Sequence, residues 1–240
     1  MLDVNKEQEK MRMTDPSNTE KWFSRGVTHC INGEYEKAIQ YYLQVLEDNP
    51  TSLKTLINIA LTYGKIDDKY SRIIAIEFLH TAAELDSRLE SIWNNMGVFH
   101  IENDNIEEGL LCLQMARKIN PSSSIVLGNM GVAYHKLRKF TNAIEFFNEA
   151  LSIDKNDAVV LFNKGISYGE LDNPNKAIKC YQEALEIDPN NSHIWNNIAI
   201  VYGVLCNSEK EIECYTKALE IDPHYKLAKL NLLIARIRDH

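Results

Sequence analysis

Among 240 residues only ten are Gly and six Pro, about 4% and 2.5% against average usage of roughly 7% and 5%, which excludes a sandwich or barrel built on many tight turns. With 45% apolar and 25% charged residues the chain has material for a core and is not of disordered composition. A net charge of −8, from 26 Lys+Arg against 34 Asp+Glu, argues against a surface for nucleic acid or anionic membrane, which needs clustered basic charge.

From the start of the chain, Met1 to Asp15 alternate charged and polar groups and lack the apolar stretch of an export signal. Residues 1–18 are expected to fray or to form a short helix. Beyond them a fixed period takes over. Pro50, Pro121, Pro189 and Pro223 are 71, 68 and 34 residues apart, and Trp22, Trp93 and Trp195 are 71 and 102 apart. All are multiples of 34, except that both spans of 71 carry three extra residues. Six units follow, at 19–52, 53–89, 90–123, 124–157, 158–191 and 192–225, with the insertion near Lys65–Lys69.

The fourth position of successive units reads Trp22, Leu56, Trp93, Leu127, Leu161, Trp195, and the eighth Gly26, Ala60, Gly97, Gly131, Gly165, Ala199. The eleventh reads His29, Tyr63, His100, Tyr134, Tyr168, Tyr202. In the second half of each unit Ala38, Ala75, Gly109, Ala143, Ala177 and Glu211 precede Tyr42, Leu79, Leu113, Phe147, Tyr181 and Tyr215 by four residues. Spacings of three and four put these side chains on one helical face, and the small residues let two helices approach closely. Glu211 departs from the pattern. Ser208-Glu209-Lys210-Glu211 reads as a capping box that would turn the carboxylate back to the helix start. Residues 226–240 read as a closing helix with Leu227, Leu230, Ile234 and Ile237 along one side, expected to cover the last unit.

This pattern resembles the tetratricopeptide repeat (TPR), with six repeats over residues 19–225 and a capping helix after them. The resemblance implies an all-α, right-handed superhelical solenoid of helix-turn-helix units that binds other proteins. It also implies that the first helix of each unit lines a concave groove, with positions 2, 5, 6, 9, 12 and 13 facing it. At position 6 the chain has Ser24, then Asn58, Asn95, Asn129, Asn163 and Asn197; position 9 is aliphatic throughout and includes Val98, Val132 and Ile166. Asn94 and Asn196 add amides at position 5. A carboxamide carries both donor and acceptor, so a ladder of them suits the backbone of an extended peptide, with the aliphatic stripe taking apolar side chains. The row resembles the asparagine-lined TPR region of O-linked N-acetylglucosamine transferase. The same residues also fit general repeat consensus, with position 9 packing on the neighbouring helix.

The clamp by which TPR co-chaperones hold a carboxylate tail needs lysine and arginine at set positions. Here those places hold Phe23, Val27, Asn58, Ser91 and Asn95, or Gly128, Val132, Asn163, His193 and Asn197, so a chaperone tail is not the expected partner. No His-Glu-x-x-His, no paired Cys-His spacing and no glycine-rich phosphate loop is present, and neither enzyme, metal site nor cofactor is expected. Cys112, Cys180 and Cys214 share position 23 and read as packing residues. Five cysteines, an odd number, fit reduced thiols in the cytoplasm. The longest apolar run, Ile198 to Cys206, is too short to cross a bilayer. Two functional readings remain: an adaptor that holds a partner's extended segment in its groove, and a structural protein that self-assembles through its ends or convex face.

Overall fold

The computed structural model describes residues 16–66 and 68–239. Residues 1–15 of the expected tail, Asp67 of the inserted loop and His240 lie outside the described residues. Among those described there are thirteen α-helices and no strand. They are α1 (Pro16–Ile31), α2 (Tyr35–Asp48), α3 (Leu53–Gly64), α4 (Lys69–Leu85), α5 (Glu90–Glu102) and α6 (Ile106–Ile119), then α7 (Ser124–Lys136), α8 (Phe140–Ile153), α9 (Ala158–Glu170), α10 (Pro174–Ile187), α11 (Ser192–Val204), α12 (Ser208–Ile221) and α13 (Lys226–Asp239).

The chain divides into two compact bodies, Met1–Pro121 with α1 to α6 and Ser122–His240 with α7 to α13. Within each body the helices stack in chain order, each packing on the one before it. Stacking of near neighbours in chain order defines a solenoid, so each body is an all-α solenoid, as the period predicts.

Five of the six hairpin turns have a common cause. Gly33, Asp104, Arg138, Asp172 and Cys206 have φ of 77°, 63°, 58°, 53° and 55°. Each stands at the fifteenth position of its unit. The next residue donates its backbone N–H to the carbonyl five residues back: Glu34 to His29, Asn105 to His100, Lys139 to Tyr134, Asn173 to Tyr168 and Asn207 to Tyr202, all at 2.9 Å. This left-handed closure satisfies carbonyls that the helix end leaves open.

Packing follows the small residues. Ala38, Ala75, Ala143 and Ala177 are fully buried between the two helices of their hairpins. At Gly131 and Gly165 an added Cβ would lie 2.4 and 2.5 Å from the rings of Phe147 and Tyr181, so these glycines are required by close approach. Positions 11 and 23 meet across three of the hairpins, in the first of which His29 stacks on Tyr41 at 5.2 Å. Tyr134 stacks on Phe146 at 5.0 Å and Tyr63 on Phe78 at 6.1 Å. Cys112, Cys180 and Cys214 occupy position 23 in three other units and are buried there.

Two expectations are corrected. Ser208 does not begin a capping box: the cap of α12 is Asn207, whose side chain accepts from the Lys210 N–H at 3.1 Å. Glu211 turns away from the helix start and pairs with Arg238 on α13. In α13 the buried residues are Ala228, Leu232 and Ala235, whereas Leu227, Leu230, Ile234 and Ile237 are exposed. The repeat register explains the reversal. Ala228, Leu232 and Ala235 stand where Ile194, Ile198 and Val201 of α11 face the preceding second helix, and the alanines let α13 sit close.

Candidate functional site

The second body presents the first helices of its units side by side. α7 and α9 are in contact, and the His135 ring nitrogen Nδ1 lies 2.9 Å from Ser167 Oγ across them. The Ser167 hydroxyl is committed to the Asn163 carbonyl at 3.0 Å, so the imidazole is the donor in the His135–Ser167 bond. Burial holds the His135 pKa below the ordinary imidazole range; nearby Glu170 opposes that shift and Arg138 adds to it. α11 and α13 are joined by Asn231, which donates to Asn196 Oδ1 at 3.5 Å.

On this framework Asn129 (α7), Asn163 (α9) and Asn197 (α11) are all half-buried. Asn197 donates one amide N–H to the His193 carbonyl of its own helix at 2.8 Å. Its oxygen and second N–H keep capacity for a ligand, since a carboxamide has two donors and an acceptor with two lone pairs. Asn231 (α13) occupies the same register and is also half-buried. On the position-9 side lie Val132 and Ile166, partly packed into the core, and Ile200, which is exposed. On the position-2 side Ile125 and Val159 are 64% and 67% exposed. On α7 and α9 the amide row therefore lies between two aliphatic rows, whereas on α11 position 2 is the exposed His193. None of the residues at positions 2, 5, 6 and 9 of α7 and α9 is ionisable.

In the first body Asn58 (α3) and Asn95 (α5) are half-buried, as is Val98 (α5). α3 and α5 are in direct contact, and Asn58 donates to the Lys54 carbonyl at 2.7 Å. Here position 2 is polar, with Glu20, Lys54 and Ser91. The position-5 amides depart from the expectation. Asn94 is 9% exposed and Asn196 only 1%; position 5 turns toward the neighbouring helix, and Asn196 accepts from Asn231 instead of facing solvent. The position-2 aliphatics and Asn231 were not singled out from the sequence. The signal was available for the former, since that position belongs to the groove set, but only their exposure separates Ile125 and Val159 from core residues.

At the far end of the second body a cavity of about 470 Å³ opens between α11, α12 and α13, lined by Ile200, Gly203, Val204, Glu211, Tyr215, Asn231, Ile234 and Arg238. Glu211 is 5% exposed and its carboxylate accepts from the Arg238 guanidinium. Burial pushes the Tyr215 hydroxyl up to about 12. Among the described residues no three His, Cys, Asp or Glu side chains converge as a metal site, and no helix is long and apolar enough to cross a membrane.

Comparison with known proteins agrees with this architecture. Family models described as tetratricopeptide repeat match residues 19–52, 124–157, 158–191 and 180–212, about half of the chain together. A crystal structure of the APC/C hetero-tetramer Cut9-Hcn1 contains a chain that superposes with a TM-score of 0.79 at 22% identity, over 92% of this chain and 43% of that one. PilF of Pseudomonas aeruginosa superposes with a TM-score of 0.73 at 19% identity, over 92% of this chain and 98% of its own. YrrB, a TPR protein with an unusual peptide-binding site, gives 0.57 at 21% identity over 78% and 95%. In sequence, the general transcriptional corepressor trfA of Dictyostelium discoideum is 27% identical over 99 residues, which are 41% of this chain and only 7% of the corepressor. A 34-residue period, left-handed hairpin turns, stacked helix pairs and family matches in both bodies lead to one conclusion: the chain is a member of the tetratricopeptide repeat family.

Proposed function

We propose that this protein is a cytoplasmic adaptor whose second body holds an extended segment of a partner protein along α7, α9 and α11. The observation that carries the reading is the amide row Asn129, Asn163 and Asn197, flanked on α7 and α9 by aliphatic residues on both sides, Ile125 and Val159 on one and Val132 and Ile166 on the other. The amides would pair with peptide N–H and C=O groups whatever the side chains, each bond contributing about 0.5–1.5 kcal/mol net. The uncharged residues at positions 2, 5, 6 and 9 of α7 and α9 favour an apolar segment, while position 13 adds one charge of each sign at the helix ends, Lys136 and Glu170.

Helix spacing suggests a period for the ligand. Packed helices lie about 8–10 Å apart, neighbouring first helices at least as far. A polyproline-type segment advances about 9 Å in three residues. One apolar side chain in every three residues would then fall on successive first helices. The fold-level neighbours are consistent with a protein-binding role: YrrB carries a peptide-binding site and the Cut9 structure is a complex with Hcn1.

The test is selection of a displayed random-peptide library on the full chain. Enrichment of apolar residues at every third position is expected, with loss of that enrichment in Asn129→Ala plus Asn163→Ala and an unchanged helical melt. Equal enrichment by the double variant would sink the proposal.

A further inference from the structure

Of the six second helices, only α12 departs from a small residue at the place where Ala38, Ala75, Gly109, Ala143 and Ala177 stand. Its Glu211 is 5% exposed, and Gly203 on α11 makes the room: an added Cβ there would lie 2.8 Å from Glu211 Oε1. A buried ion pair is seldom more stable than the apolar residues that could replace it, so folding alone does not call for a carboxylate here. At this place lies the cavity of about 470 Å³ between α11, α12 and α13, within the range of about 300–1,000 Å³ that suits small ligands. The junction is an inner one, so its walls are the same whatever follows α13.

The cavity opens toward the groove. Ile200, Gly203 and Val204 of α11 and Asn231 and Arg238 of α13 hold groove positions 9, 12, 13, 6 and 13 of the repeat register. Two groups in it keep hydrogen-bonding capacity. Glu211 gives Oε2 to Arg238, while Oε1, beside Gly203, has lone pairs to offer. Arg238 gives one terminal nitrogen to Glu211 and is 54% exposed, so it keeps further N–H donors. Asn231 is engaged by Asn196 and Tyr215. The pair thus offers an acceptor beside a donor fork, with charges that cancel.

We propose that this cavity anchors one glutamine side chain of the extended segment held along α7, α9 and α11, a reading that rests on the groove assignment above. A ligand cation would set a like charge against Arg238, and a ligand carboxylate would do so against Glu211; in a half-enclosed site neither is screened as in water. A carboxamide is neutral and carries its acceptor and its donors on one carbon. Its oxygen takes an Arg238 N–H while its nitrogen donates to Glu211 Oε1. A hydroxyl has a single oxygen for both roles. Ile200 and Val204, 40% and 65% exposed, line the approach and match the two methylenes of glutamine. At the equivalent junctions over α8 and α10, fully buried Ala143 and Ala177 stand in place of Glu211. Within the second body the anchor therefore has one address, and it fixes the register of the segment.

The test is selection of a displayed random-peptide library on the full chain as wild type, Glu211→Gln and Arg238→Gln. The wild type should enrich glutamine at one fixed place beside the apolar period. Glu211→Gln leaves the arginine's charge uncancelled and should move the preference to Glu or Asp. Arg238→Gln leaves the carboxylate's charge uncancelled and should move it to Lys or Arg, with the apolar period kept in both. Loss of folding cannot produce two opposite preferences. On the wild type alone, replacing the glutamine of a selected peptide by Ala, Glu or Lys should in each case weaken binding about tenfold, the worth of two net hydrogen bonds. An apolar period without glutamine, a wild-type preference for a charged residue, or one preference shared by all three chains would overturn the anchor and spare the groove. Absence of the apolar period from every chain would overturn both.

Discussion

Arg238, near the end of α13, donates to the carboxylate of Glu211, which lies almost fully buried on α12 at a place where the other five units have Ala or Gly. The pair spans the last helix junction of the second body. Its two ends differ: the guanidinium is 54% exposed and the carboxylate side chain 6%. Removing either partner should therefore have unequal effects. Arg238→Ala leaves a buried carboxylate without its counter-charge, and a loss of about 2–3 kcal/mol is expected, under the 3–5 of fully buried pairs because the arginine is half in water. Glu211→Ala leaves only an arginine that water can solvate, and should cost less. The double variant should be more stable than Arg238→Ala alone, a sign that hydrogen exchange of α13 amides would read directly.

His135 predicts an acid-sensitive second body. Its folded pKa is depressed by burial, with Glu170 partly opposing, so the folded chain binds fewer protons than the unfolded one near the ordinary value of about 6.5. The contribution is present above that value and is lost as pH falls through the folded pKa. Melting midpoints should decline from pH 7.5 to 5, and His135→Gln should make the decline shallower. His100 on α5 is shifted in the same direction by burial, so some slope should survive in the variant. An unchanged slope would remove His135 from the account.

The left-handed turn residues give a stabilising prediction. Cys206 and Arg138 hold φ of 55° and 58°, where a Cβ costs roughly 1–2 kcal/mol. Glycine avoids that cost but adds freedom to the unfolded chain, leaving a net gain of about 0.5–1 kcal/mol. Cys206→Gly should raise the melting midpoint by about 1–4 °C. A lowered midpoint in a thermal scan would contradict the turn assignment.

Thiol chemistry should separate the cysteines cleanly. Cys112, Cys180 and Cys214 are buried, and burial raises all three thiols, Cys214 to about 11. Cys206 is exposed, and Cys30 is half-buried. Alkylation followed by mass spectrometry should label Cys206 first, Cys30 more slowly, and the other three only after denaturant. Early labelling at 112, 180 or 214 would show that the hairpins open locally.

Much of the fold was legible because each instruction is repeated. Gly131 and Gly165 mean little singly, yet at one register they announce a ring lying on the backbone. The turns were less legible. Gly33 signals a left-handed position, but Arg138 and Cys206 occupy the same position without any compositional cue, because the neighbouring helices impose it. Nor could Glu211 be assigned: its local sequence fits a capping box, while its partner is 27 residues away.

The sequence by itself determined the period, the two-helix unit and the identity of the rows at positions 6 and 9, since these depend on local spacing that recurs in register. Tertiary structure alone decided which members of those rows meet solvent. Asn196 is withdrawn by a bond to Asn231, and Ile125 and Val159 are left outside. It also decided the rotation of α13. Amphipathicity would bury the four large aliphatics, but close approach to α12 selects the alanines, because interhelical distance is set by the smallest side chains at the contact.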